Sequence, residues 1–280
     1  METRISSATK EVVISYELPT RLIGERINPT GKKKLAAALA AGDLEMVRRE
    51  ALAQVAAGAD ILDINVGTPA VDEVALLPEV VQVVMETVDV PLCIDSSNPK
   101  ALEAALKVYK GKALVNSVSG EERSLEEILP LIQESGAAVV GLTMGDEGIP
   151  QSADQRVAVA HKIMDRATAL GIPAEDVIID CLALTLGADT SAGMITVETI
   201  QRIRAELGVN ITLGASNVSF GLPDRSLLTS AFLSVAIFAG VTCPIVDTAK
   251  VRPAVLATDL VLGRDEYSMR YIRAYRQRQK

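Results

Sequence analysis

Histidine is nearly missing from this chain: His161 is the only one in 280 residues. With no histidine pair and no Cys-x-x-Cys, neither a zinc site nor a non-haem iron site of ordinary composition is expected. The hydrolase barrels that depend on several metal-binding histidines are set aside for the same reason. The three cysteines, Cys93, Cys181 and Cys243, are too few for a disulfide framework. Each falls in an apolar strand-like run and reads as a small buried hydrophobe. Tryptophan is absent and aromatics make up 3% of the chain, so a base-stacking platform is not expected. An excess of positive charge is missing: 28 basic residues against 36 acidic ones give a net charge of −8, which argues against a phosphate-backbone binder. The one short basic tract, Lys32-Lys33-Lys34, reads as a solvated first helical turn. The opening METRISSATKEVVISYELP has no apolar signal core. The longest apolar stretch, Ala231–Val241, includes Ser234 and is too short to span a bilayer. A cytoplasmic protein that engages neither nucleic acid nor membrane is expected.

Familiar catalytic strings are missing too. The nearest approach to G-x-S-x-G is Gly214-Ala215-Ser216-Asn217-Val218, and a lone histidine cannot serve a triad at Ser216. No G-x-G-x-x-G follows a strand, and G-x-x-x-x-G-K-[ST] does not occur.

What is present is a regular alternation. Short β-rich runs begin near positions 20, 60, 91, 113, 138, 177, 211 and 243, with helical patterns between them. Asp43 is a candidate N-cap before the 43–57 pattern of Leu44, Val47, Ala51 and Val55. Asn98-Pro99 reads as a cap followed by proline at the first helical position, and Ser124-Leu125-Glu126-Glu127 as a capping box. In 226–239, Leu228, Phe232, Val235 and Phe238 suggest one apolar face. Eight such repeats predict an α/β chain folded as a (β/α)8 TIM barrel, a fold that runs to about 250 residues as one unit. An open doubly wound sheet is the alternative. A single domain over 1–280 is expected, with 1–18 as an N-terminal extension and 266–280 as a charged C-terminal helix.

Seven of the eight runs end in Asp or Asn. Asp63 and Asn65, Asp95, Asn116, Asp180, Asn217 and Asp247 stand at these ends, the first run leads into Asn28, and only the run ending in Thr143 differs. In a barrel of this kind the active site lies at the C-terminal ends of the strands. An Asp or Asn after a strand is often a mere turn former or cap, a reading that suits Asn98 and Asp224. Asp95, Asn116 and Asp180 follow apolar residues directly and read as functional. A pocket of carboxylates and amides suits a flat heterocycle that displays N–H donors, because a carboxylate accepts two parallel N–H bonds and an Asn side chain both gives and takes.

Several local strings carry a family resemblance: Gly24-Glu25-Arg26-Ile27-Asn28-Pro29-Thr30-Gly31, Asp63-Ile64-Asn65-Val66-Gly67, Cys93-Ile94-Asp95-Ser96, Val115-Asn116-Ser117, Gly141-Leu142-Thr143-Met144 and Gly214-Ala215-Ser216-Asn217-Val218-Ser219. Together, from about 20 to 265, they resemble the pterin-binding methyltransferase family. The likeness is to the stand-alone methyltetrahydrofolate:corrinoid protein methyltransferases and to the folate domain of cobalamin-dependent methionine synthase. It implies methyl transfer between nitrogen 5 of tetrahydrofolate, with 5-methyltetrahydrofolate as the methylated substrate, and a corrinoid (cobalamin) supplied by a partner protein, with no metal bound by the chain itself. The direction of transfer is left open. The resemblance assigns Asp95, Asn116 and Asp180 to the amino-amide edge of the pterin, with Asp63 near the ring and Asn217 as the catalytic group at nitrogen 5. Arg225, in Pro223-Asp224-Arg225, matches an arginine near the pocket. A proton for nitrogen 5 is expected through water or a nearby carboxylate. Asp247 has no counterpart role and reads as a turn or structural hydrogen bond. A homodimer is what such proteins form. Phe220-Gly221-Leu222-Pro223 departs from the polar residues common in methyltransferases that serve corrinoid iron–sulfur proteins.

Two alternatives stand beside this. One is a dihydropteroate synthase-like pterin enzyme, whose Asn-x-Thr-x-Asp-Ser-Phe-Ser and Ser-Thr-Arg-Pro loops are replaced here by Asn28-Pro29-Thr30-Gly31-Lys32-Lys33 and Asn65-Val66-Gly67-Thr68-Pro69. The other is a non-catalytic folate-binding component.

Overall fold

The computed structural model describes residues 1–69 and 71–279. The chain opens with an antiparallel hairpin, β1 (Thr3–Ser6) and β2 (Glu11–Ile14), in which Thr3 faces Ile14. Eight parallel strands follow: β3 (Ile23–Ile27), β4 (Ile61–Ile64), β5 (Leu92–Asp95), β6 (Leu114–Ser119), β7 (Ala138–Leu142), β8 (Val177–Asp180), β9 (Ile211–Thr212) and β10 (Ile245–Val246). They pair in chain order from β3 to β9, and β10 pairs with β3. The ring closes through a parallel bridge between Gly214 and Ile245, where the Ile245 N–H donates to the Leu213 carbonyl at 2.9 Å. This is the (β/α)8 barrel, not the open sheet.

Strand alternation sorts the side chains. Leu62, Ile64, Leu92, Ile94, Val115, Val139, Val177 and Ile179 pack outward against the helices. Ile23, Ile61, Cys93, Leu114, Ala138, Val140, Ile178 and Ile245 point inward and form a separate core with Ile5, Val12 and Ile14 of the hairpin. The hairpin therefore plugs the N-terminal end of the barrel. It is held there by Asn210, whose Nδ2 donates to Thr3 Oγ1 (2.9 Å) and the Ile14 carbonyl (3.0 Å), and by the Tyr109 hydroxyl, which donates to the Ser6 carbonyl (2.8 Å).

The helices are α1 (Lys33–Ala40), α2 (Glu45–Ala56), α3 (Glu73–Thr87), α4 (Pro99–Val108), α5 (Glu122–Ser135), α6 (Ala153–Ala169), α7 (Ala192–Glu206), α8 (Arg225–Ala239), α9 (Thr248–Val261) and α10 (Met269–Arg278). Asn98 caps α4 by accepting from the Lys100 N–H at 3.1 Å, with Pro99 leading the helix. Other expectations change. Ser124 is no N-cap: β6 runs on to Ser119, α5 starts at Glu122, and the Ser124 hydroxyl accepts from the Ser119 N–H (2.9 Å). Asp43 takes the Glu45 N–H (3.0 Å), but α2 starts after Leu44. In the Lys32-Lys33-Lys34 tract Lys33 and Lys34 are exposed, but Lys32 is half-buried and its ammonium donates to the Arg26 carbonyl at 2.9 Å. On α8 the buried face is Phe232, Leu233, Ala236 and Ile237, while Val235 and Phe238 are 48% and 63% exposed. The C-terminal helix begins at Met269 because Tyr267 and Ser268 adopt positive φ, and the Asp265 carboxylate then accepts the Arg270 and Tyr271 N–H groups, both at 2.9 Å. Lys280, the last residue of that expected helix, lies outside the described residues.

Asp259 ties three segments together. It is fully buried on α9 and accepts from the Thr20 N–H (3.0 Å), the Thr20 hydroxyl (2.7 Å) and Arg270 Nη1 (3.0 Å). Arg264 Nη1 stands at 3.8 Å. Removing one partner of a buried ion pair strands the others. Asp259→Ala is therefore expected to lower unfolding free energy by about 3–5 kcal/mol, read from urea denaturation.

Candidate functional site

The period of two that builds the inner core also builds the site. On six of the strands, two residues beyond the inward apolar side chain, the next inward position is polar: Glu25 after Ile23, Asp63 after Ile61, Asp95 after Cys93, Asn116 after Leu114, Asp180 after Ile178 and Asp247 after Ile245. These six form one ring just above the apolar layer, at the end of the barrel away from the hairpin. Asn116 lies opposite Asp95 in register, and its Nδ2 donates to Asp63 Oδ1 at 3.2 Å. Asp95 is also held by hydrogen bonds with the side chains of Asn65 and Asp63. Asp180 sits further round the ring, with Oδ1 accepting the Leu182 N–H at 2.7 Å.

Asn217 is not on a strand. It lies on a 3-10 turn, Ala215–Ser219, that follows β9, and it is exposed to the barrel mouth. A Cβ at Gly214 would come within 3.1 Å of Asn217 Nδ2, so glycine leaves room for that amide. Arg225, at the start of α8, clamps the turn on both sides of Asn217: Nη2 donates to the Ser216 carbonyl (2.8 Å) and Nε to the Ser219 hydroxyl (3.2 Å). A cavity of about 380 Å³ opens here, lined by Glu25, Asn28, Lys32, Ser216, Asn217, Arg225, Asp247 and Lys250 among others. Asp247 also forms ion pairs with Arg26 (3.6 Å) and Lys250 (3.1 Å).

A family model described as pterin binding enzyme matches residues 24–247. The chain belongs to the pterin-binding enzymes. It is 32% identical over 264 residues to a methylcorrinoid:tetrahydrofolate methyltransferase of Eubacterium limosum, covering 91% of this chain and 96% of that protein. This places it among the methyltransferases of the family. It is 31% identical over 265 residues to the methionine synthase of Mycobacterium tuberculosis, covering 90% of this chain but only 22% of that larger protein. Among solved structures, the dihydropteroate synthase of Xanthomonas albilineans with 4-aminobenzoic acid superposes with a TM-score of 0.72 at 20% identity, covering 94% of this chain and 99% of that one. The Thermus thermophilus synthase gives a TM-score of 0.68 at 22% identity, covering 92% and 99%. At that distance the likeness is one of fold.

In this pterin-binding enzyme the ring carboxylates hold protons unusually tightly. Burial pushes Asp180 up to about 6, against the pull of the Leu182 N–H and the nearby Arg156. Burial also takes Asp95 up to about 6, with the charge of Glu73 adding and the Asn65 hydrogen bond opposing. Asp63 is raised well above the usual carboxylate range by burial and by the charge of Asp95, opposed by the Asn116 amide. Such groups, short of donors, are matched by a ligand that brings N–H bonds.

Three side chains near the site have no role assigned from the sequence, although Asn65 is named there at a strand end and Glu25 within a family string. Asn65 stands beside Asp95. Arg156 is fully buried behind Asp180; its Nη1 donates to the Cys181 (3.1 Å) and Leu182 (2.9 Å) carbonyls, while Nη2 has no partner among the described residues. Its signal was an arginine on the apolar stripe shared with Ala160, Ile163 and Ala167 of α6. Glu25 is the third, two residues beyond inward Ile23.

A carboxyl whose proton is held more tightly when folded adds stability that is full below its ordinary value of 3.8 and is lost as pH rises through about 6. For Asp180 this loss is up to about 3 kcal/mol. Asp180→Asn is expected to flatten the fall in unfolding free energy between pH 4 and 7, followed by urea melts at several pH values.

Proposed function

We propose that this methyltransferase moves a methyl group between nitrogen 5 of tetrahydrofolate and the cobalt of a corrinoid carried by a partner protein. The observation that carries the reading is the ring itself: Asp63, Asp95, Asn116 and Asp180 on one inner level, with Asn217 above them at the mouth. Asp95, Asn116 and Asp180 accept from and donate to the amino-amide edge of the pterin, and Asp63 lies against the ring. This orientation turns nitrogen 5 toward the mouth and Asn217. The name of the Eubacterium limosum relative supports the choice of folate and corrinoid. The corrinoid supplies a strongly nucleophilic metal when reduced; the side chains of this chain orient the folate and stabilise its nitrogen.

That stabilisation is the difficult part, because a nitrogen anion is a poor leaving group. The Asn217 amide accepts from a protonated nitrogen 5 and donates to a free one. An interaction that grows in the transition state is one that accelerates the step. The same groups serve both directions of transfer.

We also take two copies to pair, as the resemblance implies. Leu227, Val235 and Phe238 are 67%, 48% and 63% exposed on α8, at positions that share one side of the helix. Phe238→Glu is expected to shift the protein toward monomer in sedimentation.

The decisive assay mixes the protein with 5-methyltetrahydrofolate and cob(I)alamin and follows loss of the cob(I) absorbance. Bound folate with no protein-dependent loss would favour a non-catalytic folate-binding component. Asn217→Ala is expected to reduce kcat about 100-fold while folate binding weakens only mildly; an unchanged kcat overturns its role.

A further inference from the structure

Glu25 stands apart from the other ring carboxylates. It occupies the β3 position of the ring, yet it also lines the mouth cavity together with Asn217, which Asp63, Asp95 and Asp180 do not; Asp247 lines it as well, but its carboxylate is ion-paired with Arg26 and Lys250. Its Oε1 accepts the hydroxyl of Ser216, the residue next to Asn217, at 2.6 Å. Among the described residues Oε2 accepts no hydrogen bond. The carboxyl is thus tied to the turn that carries the amide, in the wall of the same cavity, with one of its oxygens free of hydrogen bonds among the described residues.

We propose that Glu25 is the proton carrier of the reaction, giving its proton to nitrogen 5 as the methyl group departs and recovering it in the reverse direction. This rests on the methyl-transfer reading above. The step balances. The bond from nitrogen 5 to methyl breaks and leaves its electron pair on nitrogen. The cobalt(I) pair forms the new bond to carbon, and cobalt becomes formally Co(III). The proton from Glu25 neutralises the nitrogen, leaving tetrahydrofolate and a Glu25 carboxylate.

The surroundings suit both states of the carboxyl. Burial is the main effect raising its hold on a proton, with the charge of Asp247 adding; the Ser216 hydrogen bond and the charges of Lys32 and Lys250 oppose. Arg26, on the same strand, and Asp63, on β4, also feel its charge. Glu25 therefore holds its proton more tightly than a free carboxyl does. The carboxylate formed in the step faces Lys32 and Lys250, and is reprotonated from solvent through the open mouth.

Glu25→Gln tests this, because the amide oxygen still accepts from Ser216. Binding of 5-methyltetrahydrofolate, by calorimetry, is expected to stay within about threefold. Single-turnover transfer to cob(I)alamin is expected to slow about 100-fold or more, and to lose the decline with rising pH that ionisation of Glu25 gives the wild type. A wild-type-minus-variant infrared difference spectrum should show one neutral-carboxyl band from Glu25, while the bands of Asp63, Asp95 and Asp180 cancel. A 5,5-dimethyl tetrahydropterin cation leaves as a neutral amine and needs no proton, so wild type and variant should demethylate it at equal rates. Equal slowing with both donors would show a structural role and overturn the proposal. So would an unchanged rate and pH profile with 5-methyltetrahydrofolate. A wild type that binds folate without transferring methyl would instead refute the methyl-transfer reading, and this step with it.

Discussion

The structure depends on one constraint: inside a closed barrel, every second residue of every strand meets its counterparts. The interior is small, so whatever occupies a given level on one strand must suit its neighbours on that level. Here the lower level is apolar, from Ile23 round to Ile245, and is sealed by Ile5, Val12 and Ile14 of the hairpin. The next level is almost wholly polar. The step from apolar to polar within two residues, repeated on six strands, converts ordinary barrel alternation into a binding ring.

That ring carries an electrostatic debt. Asp63 and Asp95 are in contact, and the influences that set their protonation include no nearby cation. Asp180 has Arg156 behind it, but that guanidinium is engaged mainly with backbone carbonyls. A cavity built this way is complementary to a neutral, donor-rich face rather than to a cation or an anion. Toward the mouth the balance changes: Arg26, Lys32, Lys250 and Arg225 gather with Glu25 and Asp247 around one cavity, a mixed-charge rim to the carboxyl-rich ring.

Much of this was legible in the chain. The beat of eight apolar runs announced the barrel, and Asp95, Asn116 and Asp180 stood out because nothing polar preceded them. Glu25 did not, since Arg26 follows it and the pair reads as an ordinary charged loop; only its offset of two from Ile23 distinguishes it. Arg156 was hidden in a helix whose other polar residues are solvated. The Ser124 capping box failed for a tertiary reason, because β6 extends beyond Asn116 to Ser119 and consumes the serine hydroxyl. The α8 face misled because Val235 and Phe238 are apolar yet lie on its outer side, where local pattern cannot tell a core from a contact surface.

The hairpin at the base has a consequence for traffic. A barrel sealed at one end has a single doorway, and here the deepest binding groups are furthest from it. A small molecule seated on the ring and a large protein resting on the rim cannot pass one another. The first must arrive before the second and cannot leave until the second lifts away. The plug of Ile5, Val12 and Ile14, which touches neither, would in this way impose the order in which two reactants come and go.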